Sequence, residues 1–369
     1  MEVYVGFGLS FILGIFLLDI KNRILNNIGK YTILFLFFFV AGLSYKIHND
    51  YEIYQKVYEN VSLLNNWDFE IGYFYISKFS RDFFDFYQFK AIIYLINTVL
   101  IYKGVRYFFS KKDTLNIIAL LYLYGTFYFL YLPSFRQSIS VSIFIFSLKY
   151  IFKKNFLKYT LSIVLATLFH QSAAILFLVY FFINWLKINK KILIILMILN
   201  IGLYYFDFFM SIILGRLINI LGLQSKGYYF KISDGSSPRE FVFYALFYVF
   251  IIMIYNKKND FIVKGFLLFQ IFYLVQKYIP IGFRFMMYFY IFWLFVLILL
   301  FQNLKNKNIK FFVKYCLVIF IFFNFNLRII KTRAANGAYI PFHNSLELLY
   351  KEIPYNQTAE YKHIKDRYK

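Results

Sequence analysis

The chain has 369 residues, 61% of them hydrophobic and 25% aromatic, with a mean hydropathy of +0.60. That balance excludes an ordinary soluble globular domain. The net charge of +23 would suit a nucleic-acid binder, but Lys and Arg cluster at the ends of apolar runs, where membrane topology and anionic headgroups place them, so nucleic acid is excluded as a partner.

Runs such as 31–43 and 292–301 are too long and too apolar for exposed strands. Backbone groups in lipid must satisfy one another, so these runs predict spanning helices. The first lies near 3–18, preceded by Glu2 and followed by Lys21 and Arg23. That polarity predicts a retained helix with its start outside. A second helix is predicted near 31–44. The stretch 45–87 is polar and acidic, carrying Asp50, Glu52, Glu59, Asp68, Glu70, Asp82 and Asp85. It reads as an outer-face loop. Helices follow near 88–109, 114–132 and 136–152, then an ambiguous apolar block at 157–186. Further helices are predicted near 192–207, 241–255, 261–278, 283–301 and 310–327, with an outer-face loop at 208–240 and a polar tail at 328–369. The lone cysteine, Cys316, excludes an internal disulfide and any cysteine-based metal cluster. No internal repeat or soluble module interrupts the pattern. The predicted architecture is a single transmembrane domain over 1–369, an all-α polytopic membrane protein with about 11–12 transmembrane or re-entrant helices.

The block 157–186 decides the topology. As one helix it would span about 45 Å, against a hydrocarbon core of about 30 Å. As two segments meeting at His170-Gln171-Ser172, each is short, as in a re-entrant or broken pair. With two segments, the six short links carry 21 Lys and Arg on one side. With one helix, ten of those charges move to the opposite side. The positive-inside rule selects the pair, with both termini outside.

That topology gathers three polar sites on the outer face. Ser134 and Gln137 have capping-box spacing at the start of a helix, and Arg136 adds a fork of donors beside free backbone N–H groups. The group suits an anion, and Arg136 equally suits an interfacial anchor. Arg284 repeats the pattern of Pro, then Arg, then an apolar helix, and two arginines at one depth fit a diphosphate. His170 is an ionisable group amid apolar sequence, a candidate for proton transfer or for a hydrogen bond between helices. Asp50, Glu52, Asp68 and Glu70 could act as a base, hold a metal, orient sugar hydroxyls, or simply be solvated. No HExxH, Walker A or Rossmann glycine pattern is present, which argues against nucleotide-driven transport.

Phe135-Arg136-Gln137-Ser138-Ile139-Ser140, the segment Lys158 to Ala174 ending LATLFHQSAA, and Gly282-Phe283-Arg284 with Tyr288 resemble Wzy/EpsG-type bacterial polysaccharide polymerases. So do Asp50-Tyr51-Glu52 with Tyr54 and Tyr58, Glu70-Ile71-Gly72-Tyr73, and Tyr339-Ile340-Pro341-Phe342. The resemblance runs over roughly 45–345. It implies a GT-C-like helical bundle in the bacterial cytoplasmic membrane with an active site facing outside. The implied activity is a glycosyltransferase joining repeat units carried on undecaprenyl diphosphate into exopolysaccharide, capsule or O-antigen. Membrane lipids and other polysaccharide assembly proteins are the implied partners. Under that reading Arg136 and Arg284, with Gln137 and Ser138, bind the diphosphate. His170 takes the acceptor proton, and Glu70 or Asp50 shares that role or binds sugar. No metal or other cofactor is expected. Two alternatives stand beside it. Another polyprenyl-phosphate-dependent glycosyltransferase would use Asp50 or Glu52 as its base. A lipid-linked oligosaccharide flippase would need polar residues along a cavity open to both faces, rather than gathered on one.

Overall fold

The apolar runs form helices because hydrocarbon side chains leave the backbone no partner but itself. The computed structural model describes residues 2–45, 50–60, 70–123, 131, 134–205, 238–278, 282–331 and 343–344. The helices are α1 (Glu2–Asp19), α2 (Arg23–Gly42), α3 (Asp50–Glu59), α4 (Ile71–Ser80), α5 (Phe86–Arg106), α6 (Lys111–Leu123) and α7 (Phe135–Phe152). They continue as α8 (Phe156–Phe169), a 3-10 segment Gln171–Leu176, α9 (Phe177–Trp185), α10 (Lys190–Tyr205) and α11 (Pro238–Ile254). The series ends with α12 (Asp260–Tyr278), α13 (Gly282–Asn303) and α14 (Lys307–Lys331). A two-residue antiparallel ladder pairs Ser44 with Asn344 and Tyr45 with His343.

Asparagines in the links start several of these helices. Asn22 Oδ1 accepts the N–H groups of Ile24 and Leu25 at 2.9 and 3.2 Å. Asn155 caps α8 and Asn189 caps α10 in the same way. Asp85 and Gln88 form a full capping box on α5. The Asn22 cap explains why α2 begins eight residues before the apolar run that revealed it.

The acidic stretch 45–87 differs from expectation, because it contains α3 and α4. Tyr51, Tyr54 and Tyr58, at helical spacing, are all buried. Asp68 lies outside the described residues. So do the loop 208–240 up to residue 237 and the tail 328–369, apart from 328–331 and His343–Asn344. The described part of α6 stops at Leu123, and residues 124–130 lie outside the description.

By length and composition, α2 (mean hydropathy 1.6) and α13 (2.2) suffice to cross a bilayer. Shorter apolar helices occur at Tyr4–Asp19, Phe156–Phe169, Gln171–Trp185 and Ala245–Ile254. Large apolar side chains are also turned outward, such as Ile194, Ile195, Ile198 and Leu199 on α10 and Leu157, Leu161 and Leu165 on α8. Water would penalise such surfaces and lipid does not.

The chain divides into two compact units, 1–149 with 160–174 and 311–369, and 150–159 with 175–310. In the second unit, the Phe272 and Phe289 rings of α12 and α13 stack at 5.0 Å. Lys264 Nζ is buried and donates to the Ile183 carbonyl oxygen at 2.9 Å. The start of α8 also belongs here. Tyr159 donates to the Leu176 carbonyl oxygen at 2.6 Å, and the Phe156 ring meets that of Tyr180 at 5.0 Å. Because Phe156 meets Tyr180 across the pair, the chain reverses direction between α8 and α9. The block 157–186 is thus a broken pair, with the break at His170.

Candidate active site

Three chain positions in the first unit build the site. Glu70 occupies the N-cap of α4, but its side chain makes no capping bond. A glutamate is one methylene longer than the Asp that caps α5, and its carboxylate extends away from its own helix. Arg136 lies in the first turn of α7. His170 follows the last residue of α8, its N–H bonded to the Ala166 carbonyl oxygen at 3.0 Å. Its own carbonyl oxygen accepts the Ala173 N–H at 3.0 Å, opening the 3-10 segment.

Glu70 joins the other two. Its Oε1 lies 3.1 Å from His170 Nδ1, and its Oε2 pairs with Arg136 Nη1. All three side chains are largely withdrawn from solvent, with exposures of 10% for Glu70, 14% for His170 and 23% for Arg136. Burial alone pushes the Glu70 carboxyl up, but the His170 hydrogen bond and the Arg136 charge outweigh it and hold the group below the ordinary value of 4.5. Glu70 is therefore ionised at neutral pH and can only accept. His170 Nδ1 must carry the proton between them, and the ring's other nitrogen is Nε2. That nitrogen is buried and has no hydrogen-bond partner among the described residues.

The surroundings fix these three groups. Tyr54 of α3 places its ring 5.6 Å from the Arg136 guanidinium carbon. Phe135 is buried at the centre of an aromatic cluster, with Tyr54, Tyr73, Phe86, Phe89 and Tyr94 all within 6.5 Å. Ser140 donates to the Ala166 carbonyl oxygen, tying α7 to the end of α8.

The other sequence candidates fall as follows. Gln137 and Ser138 are buried. Ser138 Oγ donates to the Phe135 carbonyl oxygen at 2.7 Å and accepts from Asn97 Nδ2 at 3.2 Å, so it sits in the contact between α5 and α7. Asp50 begins α3, and only its backbone is described. Arg284 lies in the first turn of α13, in the second unit. Among the described residues, no three His, Cys, Asp or Glu side chains come together to hold a metal ion.

Two polar residues escaped the sequence reading. Lys90 is buried on α5 and donates to the Ser44 carbonyl oxygen at 2.5 Å and to Ser44 Oγ at 2.7 Å. Asp19 binds Lys112 at 2.6 Å, Lys314 at 2.9 Å and the Tyr315 hydroxyl at 2.7 Å. The signal for Lys90 was a lysine one turn inside a helix rather than at its end.

Comparison with curated proteins and with solved structures returns no match. A family model, described as the EpsG family, matches residues 27–344, a span that includes Glu70, Arg136 and His170. The chain belongs to the EpsG family and is a membrane protein of polysaccharide polymerase type.

Proposed function

We propose that this chain joins oligosaccharide repeat units carried on undecaprenyl diphosphate, working at the outer face of the cytoplasmic membrane as a multi-pass protein. The acceptor hydroxyl of one lipid-linked unit attacks the anomeric carbon of the donor chain. The bond from that carbon to the diphosphate oxygen breaks, and undecaprenyl diphosphate leaves with the electron pair. His170 Nε2 takes the acceptor proton. Arg136 meets the charge that grows on the diphosphate as it departs. Glu70 keeps the imidazole in the tautomer that leaves Nε2 basic and stabilises the imidazolium once the proton arrives.

The observation that carries this reading is the Glu70 carboxylate, bonded at once to His170 Nδ1 and Arg136. A flippase needs polar groups along its path but has no use for an oriented base. The test is turnover by purified protein with a synthetic lipid-linked unit. His170→Ala should lower kcat by about two to four orders of magnitude while donor binding survives. His170→Gln should be equally impaired, because an amide keeps a hydrogen bond but takes no proton at neutral pH. Near-normal polymer from the Gln variant would remove His170 from proton transfer. Arg284→Ala, assayed in parallel, tests the sequence-based proposal of a second cation on the diphosphate.

A further inference from the structure

Gly72 stands two residues after Glu70, and Leu168 stands two residues before His170. A Cβ built on Gly72 would lie 2.7 Å from the Leu168 carbonyl oxygen and 2.9 Å from its carbonyl carbon. Both atoms belong to the backbone of the last turn of α8, which cannot swing aside as the tip of a side chain would. The first turn of α4 therefore rests directly on the last turn of α8. Close backbone approach between helices requires a residue this small. Glu70 and His170 each lie two residues from that contact.

We propose that Gly72 is a positioning residue, the missing side chain holding the Glu70 carboxylate within hydrogen-bond reach of His170. The inference rests on reading His170 as the base. A methyl group needs roughly 3.4 Å from its neighbours, so alanine here would part the two turns by about 0.7 Å. The Glu70–His170 separation of 3.1 Å would then pass beyond the range of a hydrogen bond. The carboxylate cannot follow His170 by flexing, because its other oxygen is tied to Arg136 on α7. Closing one gap opens the other.

The experiment is a double-mutant cycle on the purified full chain, read as kcat and donor KM. Gly72→Ala should lower kcat by about 10- to 100-fold, the usual scale for a misplacement near 1 Å, with donor KM little changed. In a Glu70→Ala background the same substitution should cost less than about 2-fold, because the contact it disturbs is already gone. Gly29→Ala is the control. Its Cβ would lie 2.7 Å from the Gly14 carbonyl oxygen, so it is similarly crowded, but on α2 against α1, neither of which carries Glu70, Arg136 or His170. Its effect should combine fully with that of Glu70→Ala. Full additivity for Gly72→Ala as well would overturn the proposal and leave Gly72 an ordinary contact. Should Gly72→Ala fail to reach the membrane, Glu70→Asp withdraws the carboxylate by one methylene without touching the α4–α8 contact. It should show the same loss, and a wild-type rate would overturn the proposal. His170→Gln completes the set. If it is impaired while the cycle is additive, only the Gly72 assignment falls. If it turns over normally, the base reading falls and the Gly72 assignment falls with it.

Discussion

Glu70 and Asp19 are both carboxylates that gather partners from separate elements of the first unit, and they are finished differently. Asp19 ends α1 and takes Lys112 from α6 with Lys314 and Tyr315 from α14. Its cations are lysines, compact charges that close on the carboxylate from any direction. Glu70 takes a planar guanidinium and an imidazole, groups with fixed donor directions, and the imidazole keeps a buried nitrogen unengaged among the described residues. A cluster that only holds helices together satisfies its polar atoms. One that is complete only with a ligand keeps an atom in reserve.

The widest separation between the two clusters should come from deleting one partner in each. Arg136→Ala should abolish polymer, a loss above about a thousandfold for a desolvated group opposite developing charge. Arg136→Lys should recover little, since an ammonium lacks the fork. Asp19→Ala should leave kcat within about 2-fold while lowering stability by roughly 1.5–3 kcal/mol, because Lys314 is buried and loses its carboxylate. Turnover together with thermal unfolding in detergent measures both. A catalytic collapse in Asp19→Ala without unfolding would erase the distinction.

Acid sharpens the same contrast. The folded protein holds the Glu70 carboxyl below its ordinary value of 4.5, so folding favours the ionised form. The stabilisation is complete above about pH 4.5 and is lost as pH falls through the lowered folded value. Glu70→Gln should flatten this part of the stability profile and lower kcat by about 100-fold near neutral pH, since the amide orients the ring without balancing the imidazolium. An unchanged acid profile in Glu70→Gln would show that another group governs it.

Much of this was legible in the chain. The apolar runs located the main helices, and length and charge placed a break at His170. His170 stood out as an ionisable group amid apolar sequence, Arg136 as a fork of donors at a helix start, and Glu70 as one of the carboxylates of the acidic stretch. What could not be read was their junction. Glu70 and His170 are 100 positions apart, and only the seating of α4 on α8 brings them together. Asp19 went unnoticed for the same reason, its partner Lys314 lying 295 positions on. The helices α3 and α4 were a missed signal. Tyr51, Tyr54 and Tyr58 keep helical spacing, but the acidic residues spread over 45–87 marked the stretch as an outer-face loop.

The smallest effect tests whether backbone strain outside both clusters matters to either. Lys154, in the short link between α7 and α8, has φ of 55°, the left-handed region that disfavours residues with a Cβ. The turn is held by its own N–H on the Ile151 carbonyl oxygen at 2.9 Å and by the Asn155 N–H on that of Tyr150 at 2.8 Å. These bonds close the end of α7 in the manner of a helix whose following residue is usually glycine. Lys154→Gly relieves the Cβ clash and costs some chain entropy in the unfolded state, for a net gain of about 0.5–1 kcal/mol. Lys154→Ala keeps the clash and should gain nothing. Both variants should turn over at the wild-type rate, because Lys154 belongs to neither cluster. A glycine variant that is more stable yet slower would mean that strain in this link is transmitted along α7 or α8 to Arg136 or His170.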